Sequence, residues 1–163
     1  MKKHILFLGI FFSAVAMMQA QNIAKNALGL RLGDNDGFGA EISYQRGLGD
    51  DNRLEFDLGW RDGNNFDAFK LAALYQWVWR IDGGFNWYAG AGGGIGNVDF
   101  ESPVPGIDGG SETFIFAAGD IGIEYNFEIP LLISLDFRPE IIFNDAFDDD
   151  VDFDIALGLR YQF

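Results

Sequence analysis

The last eleven residues of the chain alternate without a break. Phe153, Ile155, Leu157, Leu159, Tyr161 and Phe163 interleave with Asp154, Ala156, Gly158, Arg160 and Gln162. A side-chain period of two belongs to a β-strand, and here it places every large apolar group on one face. The segment before it repeats the pattern, with Leu131, Ile133, Leu135, Phe137, Ile141 and Phe143 set against Ser134, Asp136, Arg138 and Glu140. No segment after Gln21 carries a convincing helical apolar period, so the chain is predicted to be all-β. Further strands are predicted near 113–127, 85–100, 66–80, 53–61, 38–46 and 26–32, which makes eight.

The N-terminus reads differently. Lys2 and Lys3 precede an apolar run from Ile5 to Met18, with small residues at Ala14, Ala16 and Ala20. This is the layout of a secretory signal peptide, and the run is shorter than the ~20 residues of a membrane helix. Cleavage after Ala16 fits the small-x-small spacing; cleavage after Ala20, the preferred site, leaves Gln21 first. Residues 1–20 are thus predicted to be a signal peptide and 21–163 the mature domain. The chain has no Cys, which excludes disulfides, thiolate metal sites and lipid attachment at an N-terminal Cys. Its one His, His4, lies in the segment predicted to be removed. A mature chain without His or Cys lacks the usual bases, nucleophiles and zinc ligands, which argues against an enzyme and implies no cofactor. The 11 Lys and Arg against 25 Asp and Glu oppose binding to nucleic acid.

The links between strands alternate in character. Gly47 to Asn52, Ile81 to Gly84 and Glu128 to Pro130 are compact; Gly33 to Gly37, Asp62 to Asn65, Glu101 to Glu112 and Asn144 to Val151 form the other set, with the long stretch at 101–112. An even number of antiparallel strands with both ends on one side is an up-and-down barrel, whose compact turns would be periplasmic in an exported chain.

Alternation does not say which face meets solvent. In a soluble lipocalin-like lipid carrier the apolar face points inward, and in a membrane barrel it points to lipid. Three features favour the membrane. The polar face carries small residues, notably Gly90, Gly92, Gly94 and Gly96, which suits a crowded interior. Aromatic residues gather toward strand ends: Tyr44, Trp77, Trp79, Phe85, Trp87, Tyr125, Phe127, Tyr161 and Phe163 at one rim, and Phe38, Trp60, Phe66, Phe69, Phe100, Phe143 and Phe153 at the other. Most strands also reach the ~9–11 residues that cross a bilayer at a tilt. The predicted fold is an eight-stranded antiparallel up-and-down transmembrane β-barrel of the outer-membrane type.

The signal peptide, the eight alternating strands and the terminal Leu-Gly-Leu-Arg-Tyr-Gln-Phe at 157–163 resemble the OmpX/OmpW-like porin-family group of small outer-membrane β-barrels. The resemblance implies residence in the outer membrane of a Gram-negative bacterium, amid membrane lipid and lipopolysaccharide, as a monomer. It also implies that the C-terminal strand is read by the barrel-assembly machinery, a role carried onto Tyr161 and Phe163 alone.

From the alternation, Arg31, Arg53, Arg61, Lys70, Arg80, Arg138 and Arg160 are expected inside the barrel, with Glu41, Glu55, Asp57, Asp120, Glu124, Asp136, Glu140, Asp152 and Asp154. Such charges must pair or be hydrated, because an unpaired buried charge costs several kcal/mol. Arg138, between Asp136 and Glu140, reads as part of an ion-pair ladder. The expected result is a closed polar lumen; a narrow solute path lined by the same residues is the competing arrangement.

Other motifs carry less. The Gly run at 90–96 has no helix or Lys-Ser/Thr behind it, so it is not a phosphate loop. Asp34, Asp36, Asp148, Asp149 and Asp150 supply oxygen ligands suited to Ca²⁺, but solvated acidic loops explain them better. Ser43, Ser111 and Ser134 have no mature His to act as base. The expected role is that of a non-enzymatic barrel serving envelope structure or surface interaction through acidic loops. A narrow porin-like channel and a soluble lipid carrier are the alternatives.

Overall fold

Eight runs of β-compatible sequence separated by Gly- and Asp-containing links can bury their backbone polar groups only by pairing, and in this chain the pairing closes on itself. The structure, a computed structural model, describes residues 23–33, 39–63, 66–100, 109–143 and 150–163. The strands are β1 (Asn26–Leu32), β2 (Ala40–Gly47), β3 (Asn52–Asp62), β4 (Phe66–Asp82), β5 (Phe85–Phe100), β6 (Ser111–Asn126), β7 (Leu131–Phe143) and β8 (Asp150–Gln162). Each pairs antiparallel with its sequence neighbour, and β1 pairs with β8 from Ala27↔Gln162 to Leu32↔Leu157. With closure, every strand has a hydrogen-bonded neighbour on both sides.

The strand boundaries lie within a few residues of those expected, and the differences have local causes. β6 begins at Ser111 because the β5 ladder runs on to Asp99↔Ser111, where the Asn97 amide donates to Ser111 Oγ and Thr113 Oγ1, both at 3.0 Å. The turn after β4 is tight: Gly83 and Gly84 sit at φ of 56° and 91°, a region that favours glycine, and the register shifts between Arg80 and Asp82. Between β6 and β7 the ladder runs to Ala118↔Glu140 and resumes at Ile121↔Phe137. Pro139 lies in this gap with no N–H to donate, and a Cβ on Gly119 would sit 3.3 Å from its ring.

The wall is uneven. β1 and β2 have 7 and 8 residues, whereas β4, β5 and β6 have 17, 16 and 16. The parity of the alternation is kept all the way round. Leu28, Leu30, Leu135, Leu157, Leu159, Ile121, Ile155 and Trp60 point outward and are exposed, while most of the buried side chains are polar or charged. A barrel that is apolar outside and polar inside is the inverse of a soluble lipid carrier, so that alternative is overturned. The aromatic rows follow the strand ends, with Trp79 stacked on Trp87 at 4.3 Å and Phe85 against Tyr125 at 4.6 Å. Phe66 differs from its neighbours in lying on the inward row at the mouth, where the Arg61 guanidinium sits 5.9 Å from its ring centre. Phe38 and residues 1–22 lie outside the described residues.

Candidate functional site

The inward row of each strand contributes one side chain every second residue, and eight strands leave an interior only about wide enough for those side chains. The lumen is therefore the place where distant parts of the sequence meet. Toward the end that carries the chain termini, Arg53 of β3 is the hub. Its Nε donates to Gln76 Oε1 at 2.5 Å, its Nη1 to Glu124 Oε2 at 2.7 Å, and its guanidinium lies 4.7 Å from the centre of the Tyr88 ring. Asn86 donates to the other Glu124 oxygen at 3.0 Å, and the Gln76 amide donates to Asp120 Oδ2.

In the middle section two arginines cross the lumen. Arg160 Nε and Nη1 donate to Ser43 Oγ and Ser134 Oγ, each at 2.8 Å, and its Nη2 is 3.2 Å from Glu55 Oε1. Both serines are therefore acceptors for a cation, a role unlike that of a nucleophile. Arg138 donates to Asp57, and reaches Glu41 at 3.3 Å and Glu55 at 3.4 Å. Arg31 gathers three carboxylates: Glu41 at 2.8 Å, Asp154 at 2.7 Å, and Asp136 Oδ1 at 2.9 and 2.6 Å from Nε and Nη2. A Cβ on Gly33, just above β1, would fall 2.2 Å from Asp154 Oδ2, so that carboxylate lies against bare backbone.

Toward the opposite end the lumen becomes apolar. Ala72, Leu74, Phe116 and Ala118 form a buried cluster with Phe114 and Ile142 against it. Lys70 pairs with Glu140 at 2.9 Å and lies 5.3 Å from the Phe116 ring centre. Glycines make room for the rings: a Cβ on Gly96 would meet the Phe114 ring at 2.2 Å, and one on Gly94 the Phe116 ring at 2.4 Å.

Thirteen of the charged residues expected inside are buried: Arg31, Arg53, Lys70, Arg138 and Arg160, with Glu41, Glu55, Asp57, Asp120, Glu124, Asp136, Glu140 and Asp154. Three are not. Arg61 and Arg80 keep the inward parity but lie at strand ends, where the lumen opens and both are exposed; Asp152 is half-buried, its carboxylate accepting the Phe153 N–H at 2.9 Å. The ladder expected along β7 is also replaced. Residues two apart on a strand are separated by nearly 7 Å, and Arg138 forms its ion pairs across the lumen with Glu41 on β2 and Glu55 and Asp57 on β3.

Sequence reasoning missed the neutral members, Gln45, Gln76, Asn86, Tyr88, Phe114 and Phe116. Parity alone places them inside, but attention to charge passed them over. The acidic-loop residues Asp34, Asp36, Asp148 and Asp149 and the side chain of Asp150 lie outside the described residues. Among the described residues no three or more carboxylate, His or Cys groups gather to hold a metal ion.

No protein-family model and no curated protein matches the chain. Solved structures do. It is similar to the N-terminal β-barrel domain of Pseudomonas aeruginosa OprF, at 15% identity and a TM-score of 0.69 over 88% of this chain and 100% of that one. Neisserial surface protein A matches at 14% identity and 0.60, over 85% of this chain and 94% of that one. Ail, the attachment invasion locus protein of Yersinia pestis, matches at 20% identity and 0.57, over 85% and 96%. With a closed ring of eight antiparallel strands, apolar outside and charged within, this chain has the fold of the small eight-stranded outer-membrane β-barrels.

Proposed function

We propose that the protein is a non-enzymatic integral barrel of a Gram-negative outer membrane whose lumen is closed, and that its acidic loops serve envelope structure or contact at the cell surface. The observation that carries this reading is the filled interior. Arg31, Arg53, Arg138 and Arg160 are each no more than 1% exposed and each holds at least one carboxylate. Buried ion pairs that span the lumen support a closed interior, because opening an aqueous path through them would break several together, each at a cost of several kcal/mol.

Residues 1–20 serve as the export signal in this reading. The side chains of Tyr161 and Phe163, whose rings stack at 6.2 Å, present the C-terminal strand to the assembly machinery. Membrane lipid and lipopolysaccharide surround a single barrel. Insertion of the purified protein into planar bilayers tests the closed lumen: the expected result is no single-channel conductance, and steady ohmic steps would overturn it in favour of a narrow channel.

A further inference from the structure

The buried charges do not balance. Among the described residues the lumen buries eight carboxylates and five cationic side chains. Seven of the carboxylates stand in ion pairs; Asp120, 5% exposed, stands in none, and its one hydrogen bond comes from the Gln76 amide on Oδ2. Arg138, on the adjacent strand, directs its donated bonds to Glu41, Glu55 and Asp57 on β2 and β3.

A second and independent feature lies beside Asp120. The Tyr88 side chain is fully buried and its hydroxyl has no hydrogen-bond partner. The tip of the phenol lies against Gly122, where an added Cβ would be 2.4 Å from Cζ and 2.5 Å from the hydroxyl oxygen. Gly122 is two residues from Asp120 on the same inward row and is paired with Asp136 on β7. The hydroxyl thus reaches the inward face of β6 at the position next to Asp120 on its row and opposite Asp136 on β7, and Asp120 Oδ1 and Asp136 Oδ2 are themselves without hydrogen-bond partners. Three buried oxygens without partners, two of them from carboxylates, thus stand on neighbouring inward positions of β5, β6 and β7, in a lumen that buries more carboxylates than cations.

We infer that this section is a binding site for a monovalent inorganic cation of the size of Na⁺ or K⁺, held by Asp120, Asp136 and the Tyr88 hydroxyl. A buried carboxylate outside every ion pair is costly without a further counter-charge or a proton, and hard oxygen donors suit an alkali cation. The absence of any cluster of three acidic groups among the described residues weighs against a divalent ion. The ion supplies Asp120 with a counter-charge from solution, where no side chain among the described residues forms an ion pair with it.

The test is urea unfolding of the full protein in phosphatidylcholine vesicles, titrated with NaCl or KCl against N-methylglucamine chloride at constant ionic strength and pH. A cation bound only by the folded state makes the unfolding constant fall nearly tenfold per tenfold rise in ion once the site is filling. The wild type is expected to show this dependence for Na⁺ or K⁺ and not for the organic cation. Asp120→Asn should lose it, and Tyr88→Phe should shift it to higher concentration. Equal behaviour of the wild type in all three salts would overturn the proposal, as would a dependence retained in Asp120→Asn. A midpoint that moves with pH but not with the choice of cation would assign the counter-charge to a proton and overturn it as well.

Discussion

Arg31 on β1 holds Asp136 on β7, reaching past β8, which separates their strands. Nε and Nη2 of the guanidinium both donate to one carboxylate oxygen, at 2.9 and 2.6 Å. The same guanidinium shares Glu41 Oε2 with Arg138, at 2.8 and 3.3 Å respectively. Arg31, Arg138 and, through Glu55, Arg160 therefore belong to one coupled network in the middle of the lumen.

Removing Arg138 should expose that coupling. Arg138→Ala leaves Asp57 and Glu55 short of a counter-charge and is expected to cost on the order of 3–5 kcal/mol by urea unfolding in vesicles. Because Arg31 and Arg138 share Glu41, the double variant should depart from the sum of the singles by ~0.5–3 kcal/mol. Additive losses, or a harmless single variant, would mean that water already screens these charges.

The facing of the wall makes a separate prediction. Leu135 and Leu157 are directly paired and half-exposed on the outer face, whereas Ala156 is buried. Leu157→Arg near mid-wall is expected to lose ~2–4 kcal/mol of folding stability in a bilayer. Ala156→Arg should fail differently, by overfilling the lumen, and should do so equally in detergent micelles of any chain length. A dependence on bilayer thickness is expected for Leu157→Arg alone.

The inward glycines differ in what a methyl group would meet. At Gly96 the three nearest atoms all belong to the Phe114 ring, while at Gly92 they are the backbone of Ala73 and Leu74, the closest 2.0 Å away. Gly96→Ala is expected to cost about 1–3 kcal/mol and to recover most of it when combined with Phe114→Ala. Gly92→Ala should cost more, with no side-chain change restoring it. Thermal unfolding of the three variants decides this, since recovery at both positions would mean that the β4–β5 backbone yields.

Phe163 offers a kinetic test. Its backbone closes the seam with Asn26 at 3.1 and 2.9 Å, contacts that Phe163→Ala retains. The variant is expected to refold unassisted into vesicles at the wild-type rate and to insert more slowly when the assembly machinery is present. Equal slowing under both conditions would make the ring a packing element only.

The β-strands and their facing were legible because both depend on a period of two that each strand states by itself. Leu157 and Ala156 could be assigned to opposite faces from their neighbours alone, and the small residues at Gly90 to Gly96 already pointed to a crowded interior. The partners of the charges were beyond such local reading. Whether Arg138 meets Glu140 or Asp57 depends on the register at every one of the β-ladders and on the diameter at closure, quantities that no single strand carries. The same closure decided that Arg61 and Arg80, correct in parity, fall at the open ends where water reaches them. It also brought the tip of Tyr88 against Gly122, two residues along the inward row from Asp120, whose Oδ1 has no hydrogen-bond partner. Periodicity is a property of the chain, whereas charge compensation in a barrel belongs to the ring as a whole.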